Sequence, residues 1–455
     1  MNAVWSTNQL GELAENVSRP FDFKGKDKVI FVNTSDVLEG KFLHAEYTSV
    51  KGLPGQAKKA IKKGDILYSE IRPGNKRYAF VDFDAEDYVV STKFMVIRPK
   101  CEISAEYLYV ILTSQLCEQE FKIIAESRSG TFPQITFDSV SYFPVNYPDK
   151  INQNIIYRIL YSFNQKIQLN SEINQNLESI AQAIFKSWFI DFEPVRAKIA
   201  AKQEGKDPER AAMCAISGKS QEELDQLTKE DFAELQATAA LFPDELVESE
   251  LGEVPKGWEY KKLKDLCRVI NGRAYKNTEF KEEGIPIVRI QNLTGGGKTV
   301  FSDLDLPQDK LIEKEDFIYA WSATFGPYIW RGPKSIYHYH IWKMDVDETI
   351  ISRYFLYLTM FRKTESMKSA GTGSIFTHLT KVIMESQDVL IADNAINILF
   401  KDRIDKIFKL ISLKSDEIKN LENIRDTLLP KLLSGEVDVT TLADTKNSSD
   451  KEQIA

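Results

Sequence analysis

The 455-residue chain is too long for one ordinary domain, and its 59 basic against 67 acidic residues give a formal net charge of −8. With 43% apolar, 28% charged and 11% aromatic residues it is globular, well outside the disordered range. The negative balance argues against an all-over basic surface, though local basic faces stay open. Its four cysteines, Cys101, Cys117, Cys214 and Cys267, form no CxxC pair, which speaks against a zinc site or a disulfide framework and fits a reducing cytosol. The opening residues lack a basic, then apolar, secretory leader, and no stretch approaches the ~20 apolar residues of a membrane helix. A soluble, cytoplasmic chain without membrane contact is expected.

In chain order, Trp5, Leu10 and Leu13 stand in WSTNQLGEL, and KVIFVNTSDV, DILYSEI and STKFMVIRP follow with strand composition and turn punctuation. SAEYLYVILTSQL is an apolar helix closing this first mixed head, residues 1–148. Residues 149–198 read as one long helix: Asp149 can cap its first turn, and Ile156, Leu160, Phe163, Ile167, Leu177, Ile184 and Trp188 recur at 3-and-4 spacing. A polar stretch, 199–256, reads as a helical linker ending in the acidic run LFPDELVESELGEVPKGW. The second head, 257–392, carries the strand-like IPIVRIQNL, DFIYAWSA and SIYHYHIWKMDV, then the helix ISRYFLYLTMF. Residues 393–435 form a second long helix, capped by Asp393, with Phe400, Ile404, Ile407, Ile411, Ile418, Leu421, Leu428 and Leu432 on its seam. Pro430 sits in its last turns, Gly435 suits its C-terminal cap, and 436–455 reads as a disordered tail.

These two sets are copies of each other. Trp5, Leu10 and Leu13 recur with the same spacing as Trp258, Leu263 and Leu266, and KKGDILY (Lys62 to Tyr68) recurs as EKEDFIY (Glu313 to Tyr319). FPQIT (Phe132 to Thr136) recurs as FTHLT (Phe376 to Thr380), and NLESI (Asn176 to Ile180) as NLENI (Asn420 to Ile424), both 244 residues on. The offset drifts in the front of each copy and is constant in the back, so two divergent heads sit on two similar stalks. A 40-residue stalk helix would span about 60 Å. Each seam is interrupted at the same place, by Asn170 and by Lys414. Either these residues fix the register of the pair or they bend their polar ends to solvent.

AIFKSWFIDFEPVRAK (Ala183 to Lys198), SELGEVPKGW (Ser249 to Trp258) and LENIRDTLLPKLLSGEVDV (Leu421 to Val439) resemble the separating helices and domain joints of type I restriction–modification specificity subunits. GTFPQITFDSV (Gly130 to Val140) resembles the end of a target-recognition domain in that family. The resemblance covers essentially the whole chain and is strongest in the stalks and joints. It implies an α+β fold, in which two globular mixed α/β target-recognition domains are separated by two long helices packed as an antiparallel coiled coil, with an internal pseudo-twofold repeat. It further implies that each head reads one half of a split, asymmetric site in double-stranded DNA. The helices would set the spacing and dock two modification subunits, through which restriction subunits join. Such a chain is no enzyme: S-adenosylmethionine, ATP and Mg belong to the partners, and this chain holds no cofactor.

No site for chemistry stands out beside that resemblance. GGGKT (Gly295 to Thr299) looks like the tail of a phosphate loop, but Asn292 stands where the loop's first glycine belongs and VFSDLDLP does not read as the helix that must follow. No Asn/Asp-Pro-Pro-aromatic methylation motif is present. His338 and His340 would share a strand face, yet only His44 and His378 remain as further histidines, so sheet packing or DNA contact is favoured over a metal.

DNA-contacting candidates are polar, basic or aromatic residues on head loops. In the first head these are Arg72, Asn75, Lys76 and Arg77 in RPGNKR, with Arg128, Thr131 and Gln134 in SRSGTFPQ. In the second they are Trp321, Ser322 and Thr324 in the equivalent turn WSATFG, with Arg289, Gln291, Asn292, Lys298, Lys368, Thr372, Ser374 and His378. Arginine suits guanine edges, and asparagine or glutamine suits adenine. The other readings are a coiled-coil adaptor whose heads bind proteins, which the negative charge favours, and a fragment of a fused DNA methyltransferase.

Overall fold

The computed structural model describes residues 4–127, 133–322, 324–369 and 379–439. It divides into two compact units, Met1–Gln168 with Lys419–Ala455, and Leu169–Ile418. Each unit thus holds one head and part of both long helices.

In the first unit Ser6–Gln9 pairs antiparallel with Pro144–Tyr147, tying the start of the head to its end. One four-stranded sheet runs Thr48–Ser49, Lys28–Val32, Tyr88–Ser91, Ala57–Ala60; the other runs Ala14–Asn16, Phe94–Pro99, Ile66–Ser69, Tyr78–Phe80. The second unit repeats this strand for strand. Glu259–Lys262 pairs with Asp388–Ile391; one sheet runs Val300–Ser302, Ile285–Val288, Ser335–Tyr337, Leu311–Ile312; the other runs Cys267–Asn271, Ile341–Val346, Phe317–Ala320, Gly326–Ile329. Even the parallel pair recurs, Lys28–Val32 with Tyr88–Ser91 and Ile285–Val288 with Ser335–Tyr337. The equivalent strands Ile66–Ser69 and Phe317–Ala320 are buried at every position, as unbroken apolar runs in a covered sheet should be. The sequence repeat is therefore a repeat of topology.

Two expectations need correction, one for a strand and one for the linker. SIYHYHIWKMDV is not one strand but two, Ser335–Tyr337 and Ile341–Val346, which belong to different sheets. His338–His340 is the link that carries the chain across, and Thr92–Lys93 makes the same crossing in the first head. The acidic end of the linker is also not helical. Leu246–Ser249 and Gly252–Pro255 form a hairpin whose turn needs Gly252 at φ 109°. Before it, Pro208–Ser217, Gln221–Leu224 and Lys229–Ala240 enclose a small core of Ala212, Met213, Leu224 and Ala239.

The first long helix is Lys150–Phe189, not 149–198. Phe192 turns left-handed at φ 53°, Pro194 opens a new helix, Glu193–Gln203, and the chain bends between them. Asp149 caps the start: its Oδ1 accepts from the amides of Ile151 and Asn152 at 3.0 and 3.1 Å. Burial opposes the charge of Asp149, but these bonds and one from the Asn152 side chain outweigh it and hold the carboxyl below its ordinary value. The second long helix, Asn394–Ser434, starts alike, with Asp393 Oδ1 accepting from Ala395 N at 2.9 Å. A second fastening recurs 244 residues apart. Buried Gln153 donates to Pro148 O and buried Asn397 to Ala392 O, both at 2.8 Å. Gly435 ends the second helix at φ 77°, against the Trp5 indole, where a Cβ would sit 2.7 Å from the ring. The tail begins later than 436, because Val437 and Val439 pack on the first unit's core; residues from Thr440 lie outside the described ones.

The helices run antiparallel within each unit. In the first, Ile156 and Leu160 share a core with Leu428 and Leu432, and Arg425 donates to Asn164 Oδ1 at 3.0 Å. In the second, Asn174 donates to Ser415 Oγ at 3.2 Å, and Phe189 meets Phe400 at 4.8 Å between ring centroids. Of the seam residues, Ile156, Ile404 and Ile411 are buried, while Phe163, Ile167, Leu177, Ile184, Ile407, Ile418 and Leu421 are half-buried. The largest buried side chains of the stalks are instead Phe185, Trp188, Phe400 and Phe408, which turn into the second head. Phe185 lies 5.3 Å from Phe355, and Phe189 lies 5.4 Å from Trp258. Each stalk end is thus part of a head core as well as a partner for the other helix.

Of the two residues interrupting the seams, Lys414 keeps its ammonium half-exposed, paired with Glu417 at 2.8 Å. Asn170 is fully buried, and neither amide atom has a hydrogen-bond partner. Bending to solvent is therefore ruled out for Asn170. An unpaired buried amide costs about 1–3 kcal/mol. Replacing it with a similar-sized apolar group, Asn170→Leu, should raise the melting temperature by a few degrees in calorimetry. A fall would show that the amide is satisfied in solution and stabilises the pair.

Candidate nucleic-acid interface

In the first head, RPGNKR joins Ile66–Ser69 to Tyr78–Phe80. Arg72 at φ 46° and Lys76 at φ 54° are left-handed on either side of a single turn, Pro73–Asn75, closed by Asn75 N to Arg72 O at 2.8 Å. Arg72 N donates to Pro133 O at 3.0 Å, and Ile135 N to Glu70 O at 2.8 Å. The backbone thereby lays Gln134 beside this turn, and Arg72, Asn75 and Gln134 are exposed together. Arg77 and Lys76 have structural partners: Arg77 Nη1 donates to Ser35 O and Val37 O, both at 2.9 Å, and Lys76 pairs with Glu39 at 3.0 Å. Arg128 and Thr131 lie outside the described residues.

In the second head, Arg289, Gln291, Asn292 and Lys298 share one compact turn. Asn292 Oδ1 accepts from Arg289 N at 3.0 Å, the Arg289 guanidinium donates to Lys298 O, and Lys298 pairs with Glu282 at 3.1 Å. Gly297 stands at φ 78°, where a Cβ would fall 2.4 Å from the Gln291 side chain. The next element is a strand, Val300–Ser302, so GGGKT lacks the helix of a phosphate loop. The equivalent turn in the first head is capped the same way, Asp36 Oδ2 accepting from Asn33 N at 2.9 Å.

WSATFG joins Phe317–Ala320 to Gly326–Ile329, the same hairpin as RPGNKR. Trp321 Nε1 donates to Tyr339 O at 2.8 Å and its ring lies 5.3 Å from His340; Ser322 and Thr324 are half-buried. Lys368 falls in the helix Arg353–Ser369, but its side chain, like Thr372, Ser374 and His378, lies outside the described residues.

What the sequence reading missed is the link that gathers these pieces. His338 N donates to Val288 O at 2.9 Å, next to Arg289. Arg273 N donates to Tyr337 O at 3.1 Å and Tyr339 N to Arg273 O at 3.0 Å. The Arg273 guanidinium lies 5.1 Å over the Tyr275 ring and pairs with Glu279 at 2.6 Å. The His338 and His340 rings are 4.9 Å apart. Burial, then His340 and the Arg289 charge, hold the His338 imidazole below its ordinary pKa, and burial lowers that of His340. Both shifts favour the neutral rings, and a neutral imidazole offers a donor and an acceptor. Among the described residues, no three His, Cys, Asp or Glu side chains are grouped to hold a metal.

Charge is also distributed unevenly. The linker, 199–256, holds 14 acidic and six basic residues, a net −8 that equals the charge of the whole chain. The second head, 257–392, has 19 basic against 17 acidic residues. Acidity that counted against a nucleic-acid partner is thus concentrated outside the heads.

A family model for the type I restriction modification DNA specificity domain matches residues 2–179 and 255–423. The chain belongs to the type I restriction–modification specificity subunits. It is 44% identical to the type I restriction enzyme HindI specificity subunit of Haemophilus influenzae, over 95% of this chain and 99% of that one. The MjaIX specificity subunit of Methanocaldococcus jannaschii is 25% identical over 84% of this chain and 79% of its own length. Among solved structures, the type I restriction–modification S subunit from M. genitalium shares the fold at a TM-score of 0.50 and 14% identity, covering 95% of this chain and 96% of that one. The two stretches matched by the specificity-subunit family model each hold one head and the start of a long helix, and they leave the acidic linker out.

Proposed function

We propose that this chain is the non-catalytic DNA-reading subunit of a type I restriction–modification complex, each head reading one half of an asymmetric, bipartite site in double-stranded DNA. The observation that carries this reading is the pair of heads with one topology and different loop chemistry. Thr92–Lys93 and His338–His340 make the same crossing, and Asn33 and Arg289 open the same capped turn. Like scaffolds with unlike loops suit two different half-sites, since base contacts specify and phosphate contacts position. The repeated stalks offer two similar docking faces, which suits two copies of an adenine-methylating modification subunit, with restriction subunits joining through them. S-adenosylmethionine, ATP and Mg act on those partners, and the complex works in the cytoplasm.

The test is genome-wide adenine methylation in cells expressing this chain with its modification subunit. One bipartite, asymmetric motif with a fixed spacer, lost when this chain is deleted, is the expected result. Methylation that is absent, or that persists without the chain, would overturn the reading in favour of a protein-binding adaptor.

A further inference from the structure

We infer that the link His338–His340, with Arg273 and Arg289 on either side, is the base-reading element of the second head, and that the crossing between the two sheets is where each head carries its sequence preference. This rests on the DNA-reading function proposed above and names the residues that perform it.

Three independent features meet at this place. The first is topological: the crossing is common to both heads, yet its chemistry is not, a threonine and a lysine in one and a His-Tyr-His in the other. Side chains that only stabilised a shared scaffold would have no reason to differ so sharply at one shared position.

The second is steric. A Cβ on Gly272 would sit 2.3 Å from His338 O, so only glycine lets the Arg273 strand approach the link so closely. That approach brings Arg273 to one flank of the link, as the His338–Val288 bond brings Arg289 to the other.

The third is an excess of donors. Arg273 Nη1, Tyr275 Oη and Arg289 Nε are buried without a hydrogen-bond partner, within a cluster already linked by ring and backbone contacts. These donors have no internal acceptor, so an acceptor-rich ligand would satisfy them once the side chains turn outward. The major-groove edge of guanine, with acceptors at N7 and O6, fits arginine donors, while neutral imidazoles can donate to or accept from a neighbouring base. Trp321 closes the far side against His340 and offers an apolar face, the kind of surface that meets a thymine methyl.

The experiment compares the methylated motif directed by the wild-type chain with those of R289A, H338A and the double variant, each co-expressed with the modification subunit. The expected result is loss of preference at one or two base pairs of a single half-site, by about 10- to 100-fold, with the other half unchanged. Lys93→Ala, at the same crossing of the first head, should relax the opposite half. Complete loss of methylation by a variant that melts and assembles like wild type also counts for the proposal. Where a variant fails to fold, R289K and H338Q replace it with the same readout. A wild-type motif at wild-type frequency from the double variant would overturn the assignment. Failure of the wild-type chain itself to direct any methylation would instead overturn the proposed function.

Discussion

Phe400→Ala should lower the unfolding free energy of the second unit by about 3–5 kcal/mol, one of the largest losses a single substitution can cause here. The side chain is 1% exposed. Its ring centroid lies 4.8 Å from Phe189, 5.8 Å from Phe355, 6.0 Å from Trp188 and 6.1 Å from Phe185. These rings come from both long helices and from the helix Arg353–Ser369, so truncation opens a cavity that no single element can close. In calorimetry the transition of the second unit should fall by on the order of 10 °C, given a unit of this size. The first unit's core contains none of these residues, so its own transition should hold. Ile407→Ala, at a half-buried position, should cost distinctly less. If both variants melted like wild type, the aromatic cluster would not be what joins stalk to head. Assembly with the modification subunits should weaken in step with the Phe400 loss, because the docking face proposed for the stalk is only as well ordered as the helix pair beneath it.

That cluster also shows where reading the sequence works and where it stops. The back half of each copy was legible because its constraints are local and repeated. The Asp149 and Asp393 caps stand one repeat apart, as read from the sequence, while the strands Pro144–Tyr147 and Asp388–Ile391 and the Gln153 and Asn397 fastenings recur at the same interval without having been foreseen. Helical periodicity located the stalks, but it points only to the face that is apolar. It does not say whether Phe185 and Phe400 meet each other or a head, which depends on residues far away in the chain. The end of the first stalk was misread because the apolar pattern runs on through Val195 while the backbone breaks at Phe192, where tertiary packing holds a left-handed residue. The link His338–His340 was hidden for a similar reason. Three residues between two strand-forming runs look like strand until it is known that the runs lie in different sheets. Among the loop candidates, Arg77 and Lys76 look in sequence like ordinary solvated basic loop residues. Only the fold brings Ser35, Val37 and Glu39 close enough to engage them.

Exchanging residues 257–393 for the second head of another specificity subunit should change one half of the methylated motif completely and leave the other half and the assembly intact. The junctions are set by the fold. Glu259–Lys262 and Asp388–Ile391 are each other's partners, so a graft must carry both strands or neither, and cuts at 257 and 393 lie just outside the pair. The exchange ends on Asp393, so the graft must carry an aspartate there to keep the cap, while the helix Asn394–Ser434 remains native and the stalk keeps its register. Each mismatched base pair costs about 1–3 kcal/mol, nearly additively. A half-site of three changed pairs would therefore lose at least ~3 kcal/mol, enough to reduce methylation of the old site by roughly a hundredfold or more. If the stalks set the spacing, spacer length should stay the same, because the exchange leaves them in place. A graft that altered both half-sites would mean that the heads do not read independently, and the repeat of topology would then need an explanation other than two separate readers. A graft that altered the spacer while keeping the first half-site would move the ruler from the helices into the heads.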